Sequence, residues 1–119
     1  MRQSSRRPEQ VAGTIRQVIA EALWREIRDP RVGFVTVTGV LVTNDLSHAR
    51  VSVSVPGDEA EKTRALQGLQ SAAGFLRSRA ARALTTRTVP ELHFEIDKGV
   101  EHAARIEQLL QSIRREEQG

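Results

Sequence analysis

Phe34-Val-Thr-Val-Thr-Gly-Val-Leu-Val42, Thr43-Asn-Asp-Leu-Ser-His48 and Ala49-Arg-Val-Ser-Val-Ser-Val55 follow one another in this 119-residue chain and decide its fold. In the last of these segments Ala49, Val51, Val53 and Val55 alternate strictly with Arg50, Ser52 and Ser54, which predicts a strand buried on one face. The first is rich in Val and Thr, as strands are, but its alternation changes phase. Val35 and Val37 precede Gly39, and Val40 and Val42 follow it; a glycine at such a shift predicts a β-bulge. Thr43-Asn44-Asp45 supplies turn chemistry and Pro56-Gly57-Asp58 closes the second strand. The segment is therefore an antiparallel hairpin.

Helical periodicity surrounds it. Val11, Ile15, Val18, Ile19, Ala22, Leu23 and Ile27 share one face of a helix predicted from Glu9 to Arg28, ended by Pro30. After the hairpin, Asp58 is placed to cap a second helix with Glu59 and Glu61 in its first turn. Its apolar residues Leu66, Leu69, Ala73, Leu76, Ala80 and Leu84 pass through Ala72-Ala73-Gly74, where a break between two helices is expected. Leu92, Phe94 and Ile96 alternate with His93, Glu95 and Asp97 as a third strand, and a last helix is expected from about Val100 to Ile113. The order α-β-β-α-(kink)-α-β-α gives an α+β domain with helices packed on one face of a three-stranded sheet. Residues 1–8 read as a flexible basic arm, 9–113 as a single domain and 114–119 as a frayed C-terminal tail.

Composition excludes several function classes. Without cysteine there is no disulfide or thiolate chemistry, and no apolar run approaches the roughly 20 residues that span a bilayer. With no signal-peptide block at the start, a cytoplasmic protein with no membrane role is expected. No phosphate-binding glycine motif or nucleophile elbow occurs, and His48, His93 and His102 lack metal-ligand spacing. Neither a catalytic residue nor a metal or cofactor site is expected. His93 and Glu95 read as an exposed polar pair, although a small RNA hydrolase using them as acid and base stays open as a lesser alternative.

Charge is informative by its placement. The net charge is only +3, yet Lys62 to Pro90 holds Lys62, Arg64, Arg77, Arg79, Arg82 and Arg87 with no acid. Seven of the fifteen acids lie between Glu91 and Glu117. A segregated positive face draws polyanions, and Arg grips phosphate with a planar fork of donors. With Arg2, Arg6 and Arg7 of the arm, the set could make six to ten phosphate contacts. Affinity would then fall by roughly 10³ or more between 50 and 200 mM salt. The small-residue break Ala72-Ala73-Gly74 inside this face would let a phosphate backbone approach, much as the loop of K-homology domains does. Aromatics are scarce: Phe94 lies on the apolar face of its strand, Phe75 follows the break, and Trp24 is expected to be partly packed. RNA binding through shape and backbone rather than base stacking is the expectation. A protein-interaction module docking through a strand edge or the last helix is the alternative.

Several long segments in order carry a resemblance. They are Arg7, Val11 and Ile15-Arg16, then Ile27-Arg28-Asp29-Pro30-Arg31, Val35 to Val40, Thr43 to Val53, Leu69 to Ala73, Gly74-Phe75-Leu76-Arg77 and Leu84 to Asp97. Across almost all of residues 7 to 113 the chain resembles bacterial ribosome-binding factor A. That resemblance implies a type II KH-like fold whose Gly-x-x-Gly loop is replaced by an Ala-x-Gly kink, here Ala72-Ala73-Gly74. It also implies a non-enzymatic assembly factor linked to cold adaptation; a monomer is expected separately, because the α+β pattern needs no partner to cover its core. Such a factor binds 16S rRNA within the free 30S subunit, assists late maturation and rRNA end processing, and acts in concert with an assembly GTPase. Family members often carry Ser two residues after the Asp that ends the third strand. Here that position is Gly99, which leaves capping of the last helix to Asp97.

Overall fold

The structure, a computed structural model, describes residues 7–85 and 88–118. Helix α1 (Pro8–Arg25) leads through a 3-10 turn (Pro30–Val32) to strands β1 (Thr36–Val42) and β2 (His48–Ser54). Helix α2 (Glu59–Ala83), strand β3 (Glu91–Ile96) and helix α3 (Lys98–Gln118) follow. In the sheet, ordered β1-β2-β3, β1 runs antiparallel to β2 and β3 parallel to it, so α2 is the crossover that returns the chain to the same end.

The period-2 and period-3.6 stripes meet in one core. Val11, Ile15, Ile19 and Ala22 of α1 and Ala65, Leu69, Leu76 and Ala80 of α2 pack on Val37, Ala49, Val51, Val53 and Leu92 of the sheet. Each fully buried Ile, Leu or Val contributes about 1.5–3 kcal/mol over leaving it in water. Phe94 and Ile96 of β3 pack against the same cluster. The bulge is present: pairing with β2 shifts between Val37 and Gly39, which makes Thr38 the extra residue. The Thr38 hydroxyl donates to Asp97 Oδ2 at 2.6 Å, tying the bulge to the end of β3.

Local signals set most element ends. Asp58 caps α2 by accepting from the Glu61 N–H at 2.9 Å, and Asp97 caps α3 by accepting from Gly99 N at 3.0 Å. Gly57, at φ +116, turns the chain ahead of Asp58; a Cβ there would lie 2.6 Å from the Glu61 carboxyl. Helix α1 stops at Arg25, three residues before the expected end. Glu26 and Ile27 both donate to Ala22 O and close the helix, which leaves Asp29 to cap the 3-10 turn that Pro30 opens.

One expectation needs correction. Helix α2 runs unbroken from Glu59 to Ala83, so Ala72-Ala73-Gly74 interrupts nothing. A mid-helix glycine costs about 1 kcal/mol against alanine, too little to end a helix that is anchored on both sides and lacks proline. Helix α3 runs from Lys98 as far as Gln118. The layer on the sheet is made by α1 and α2, whereas Ile106, Leu109, Leu110 and Ile113 of α3 are exposed. No helix among the described residues is long and apolar enough to cross a membrane.

Candidate nucleic-acid interface

The apolar stripe of α2 faces the core, so its opposite side is set by exclusion. Gln67, Ser71, Gly74, Ser78 and Ala81 recur there every three or four residues, and all are exposed or half-buried. Where this ridge meets the segment leading to β3, an open trough is lined by Gly74, Arg77, Ser78, Ala81, Thr88 and Val89. Its floor is short side chains and helix backbone. A Cβ added at Gly74 would find no atom within 4 Å, so no neighbour in the protein requires glycine there. Gly68, two turns earlier, is the opposite case: its Cβ would meet Val32 Cγ1 at 2.9 Å and Arg31 Cβ at 3.2 Å. One glycine lets α2 close on the 3-10 turn, and the other faces open space.

The expected cations distribute unevenly around this trough. Arg77 stands at its rim, its Nη2 donating to Val89 O at 2.8 Å, which holds the guanidinium beside the floor. Arg82 is exposed on the same end of α2 and has no hydrogen bond or ion pair among the described residues. Arg79 points elsewhere. Its Nε donates to Glu26 Oε2 at 2.8 Å across the α1–α2 contact, and its guanidinium lies 4.7 Å from the Phe75 ring centroid. That hydrogen bond with Glu26 raises its pKa further. The reason is angular: at 100° per residue, Arg77 and Arg79 leave the helix on nearly opposite sides. Arg77, Arg79 and Arg82 are therefore not one cluster, and Arg79 serves as a clamp between helices.

Of the remaining candidates, Arg64 is exposed and Lys62 largely covered, 3.9 Å from Glu59. Both sit toward the far end of α2, more than three turns from Arg77. Ala72 and Ala73 are half-buried, Ala72 packing on the core, so only Gly74 of that triplet faces the trough. Arg7 is exposed at the start of α1. Arg6, Arg87 and the arm before Arg7 lie outside the described residues.

Aromatic exposure departs from the sequence expectation. Trp24 is 85% exposed because it leaves α1 on the side away from its buried stripe, and Phe34, in the turn before β1, is 82% exposed. The proposed acid–base pair also separates. Arg50 Nε donates to Glu95 Oε1 at 2.6 Å and holds that carboxyl below its ordinary pKa, so the oxygen a base would use is already engaged by a guanidinium. His93 instead faces His48, its Nε2 3.0 Å from His48 Nδ1. Sequence reasoning missed this meeting because it depends on the parallel register of β2 and β3, and no local pattern reports that register.

Comparison with known proteins places the chain among its relatives. The family model for ribosome-binding factor A matches residues 7–110. The chain is 48% identical over 116 residues to ribosome-binding factor A of Rhodopirellula baltica, covering 98% of this chain and 85% of that one. It is 47% identical over 114 residues to the Thermomicrobium roseum protein, covering 96% and 88%. The crystal structure of ribosome-binding factor A from Thermus thermophilus superposes with a TM-score of 0.66 at 27% identity, over 75% of this chain and 93% of that one. A Thermus thermophilus homology model, fitted into a cryo-electron-microscopy map of a 30S complex with this factor, gives a TM-score of 0.59 at 27% identity. It covers 73% of this chain and 91% of that one.

Proposed function

This chain belongs to the ribosome-binding factor A family, and from that membership we propose that it binds the free 30S ribosomal subunit through 16S rRNA. The observation that carries the reading is the Thermus thermophilus relative, fitted as part of a 30S complex. In this reading the contact is made by the trough beside Gly74. A sugar-phosphate strand lies along Ser71, Gly74, Ser78 and Ala81, and Arg77 and Arg82 pair with its phosphates; Arg6, Arg7 and Arg87 are the further cations proposed to contact RNA. Bound RNA is thereby held in one local conformation. Binding energy shifts the RNA equilibrium only by its difference between conformers, so no covalent step is needed. The chain then assists late maturation and 16S end processing as a monomeric, non-catalytic cytoplasmic factor. It leaves before or during joining of the large subunit and acts in concert with an assembly GTPase.

The double variant Arg77→Glu, Arg82→Glu tests this face. Sedimented with free 30S subunits and checked for fold by circular dichroism, it loses binding, and the residual binding has a shallower salt dependence. A folded double variant that co-sediments as the wild type does, with the same salt slope, refutes the face. A second reading rests on the exposed Ile106, Leu109, Leu110 and Ile113 of α3, which could seat in a partner protein's groove. That reading predicts binding that survives nuclease treatment and hardly responds to salt.

A further inference from the structure

The polar face of the sheet, turned away from α1 and α2, carries a second constellation. Parallel pairing sets His48 beside Glu91 and Arg50 beside His93, which makes the two histidines diagonal neighbours on adjacent strands. Their rings turn toward each other, with centroids 5.1 Å apart and His48 Nδ1 lying 3.0 Å from His93 Nε2. Glu91 completes a triangle, Oε2 standing 4.0 Å from His48 Nδ1. One ligand atom from each of the three lies within 4.8 Å of the other two, and all three residues are exposed.

We propose that His48, Glu91 and His93 form a binding site for one zinc ion that clips β2 to β3. Ligands on tetrahedral zinc, with bonds of about 2.0–2.1 Å, sit about 3.3 Å from one another. The separations of 3.0 and 4.0 Å bracket that value and the third is no more than 4.8 Å, so side-chain rotations that draw Glu91 inward would seat the ion. Two imidazoles and a carboxylate suit zinc or another late divalent metal rather than calcium or magnesium, which take oxygen ligands. Three protein ligands leave the fourth position to water on the solvent side.

The backbone under the site is already fixed. His48 N donates to Thr43 Oγ1 at 3.1 Å, Thr43 N donates to His48 O at 3.0 Å, and Glu91 N donates to Ser47 O at 2.9 Å. Pro90, just before Glu91, is fully buried. Little ordering is left to accompany binding, as a site on rigid elements should have it. Arg50, the neighbouring cation, does not oppose the ion with a bare charge, because it is paired with Glu95.

The experiment is a calorimetric titration of the full chain with zinc chloride, backed by competition against a chromogenic chelator. One equivalent binds saturably. His48→Ala and His93→Ala each weaken binding by about tenfold or more, since losing even an outer-shell partner weakens metal sites by about 10–100-fold. Glu91→Gln weakens it as well, and His102→Ala leaves it unchanged. Zinc raises the melting temperature of the wild type but not of the doubly substituted His48→Ala, His93→Ala chain. Long-range ¹H–¹⁵N spectra of the wild type show zinc-induced shifts at the ring nitrogens of His48 and His93, a readout independent of any variant's folding. Absence of saturable binding, or binding that persists in the double variant, overturns the proposal and leaves a hydrogen-bonded imidazole pair only.

Discussion

Replacing Gly74 by alanine separates what the fold wants from what a partner wants. Gly74 sits inside the continuous helix α2, where glycine is about 0.8–1.0 kcal/mol worse than alanine. Nothing within 4 Å would meet the added methyl, so that gain is not offset by crowding. For a domain of this size it corresponds to a rise of about 3–6 °C in Tm. The same methyl narrows a trough whose floor is otherwise Ser78, Ala81 and helix backbone. Urea unfolding should therefore show Gly74→Ala more stable than the wild type, while sedimentation with 30S subunits shows it binding several-fold more weakly, and Gly74→Leu binding weaker still. Two glycines serve as controls. A Cβ at Gly13 of α1 also meets nothing within 4 Å, so Gly13→Ala gains a similar stability and keeps subunit binding. Gly68→Ala must push Val32 and Arg31 aside, and overpacking of about 1–3 kcal/mol cancels or exceeds the helix gain. If Gly74→Leu folds and binds 30S subunits as tightly as the wild type, the trough is not where RNA lies.

Arg79→Gln and Arg82→Gln should part ways: the first lowers stability by cutting the Glu26 clamp. The second leaves stability within about 0.5 kcal/mol and reduces the salt slope of 30S binding by about one. Asp45 accepts from the Ser47 and Thr43 hydroxyls at 2.7 Å and from Ser47 N at 3.1 Å, which lowers its pKa to about 2. Because its folded pKa is depressed, this stabilisation is complete above about pH 4 and is lost as pH falls through about 2. A carboxyl ¹³C titration of Asp45 with a midpoint near 4 would contradict this. Leu69→Ala, at a site with no exposure, should cost about 2–5 kcal/mol in urea unfolding, and a loss below about 1 kcal/mol would mean the core relaxes around it.

What was legible in the sequence was what a few neighbouring residues decide. Alternation in Ala49–Val55 gave the strand, the phase change around Gly39 gave the bulge, and Asp58 and Asp97 capped the helices they precede. Features that depend on distant partners were not legible. Arg79 follows Glu26, fifty-three residues away, rather than Arg77 beside it. The helix break at Gly74 failed because one glycine's propensity is small against a helix held along its length by packing. Trp24 was placed by its angle on α1, and His48 met His93 only through the parallel register.

That parallel register has a consequence for the newborn chain. Strand β2 is complete at Ser54, but the partner for its second side begins at Glu91, beyond the whole of α2. At a synthesis rate of about 5–20 residues per second, the lag lasts roughly 2–7 s. Throughout it, β2 presents a row of vacant amides and carbonyls that any extended peptide nearby can zip onto. A message cut short between these strands would yield a sticky half-sheet, and the nascent protein is most in need of a chaperone during that interval.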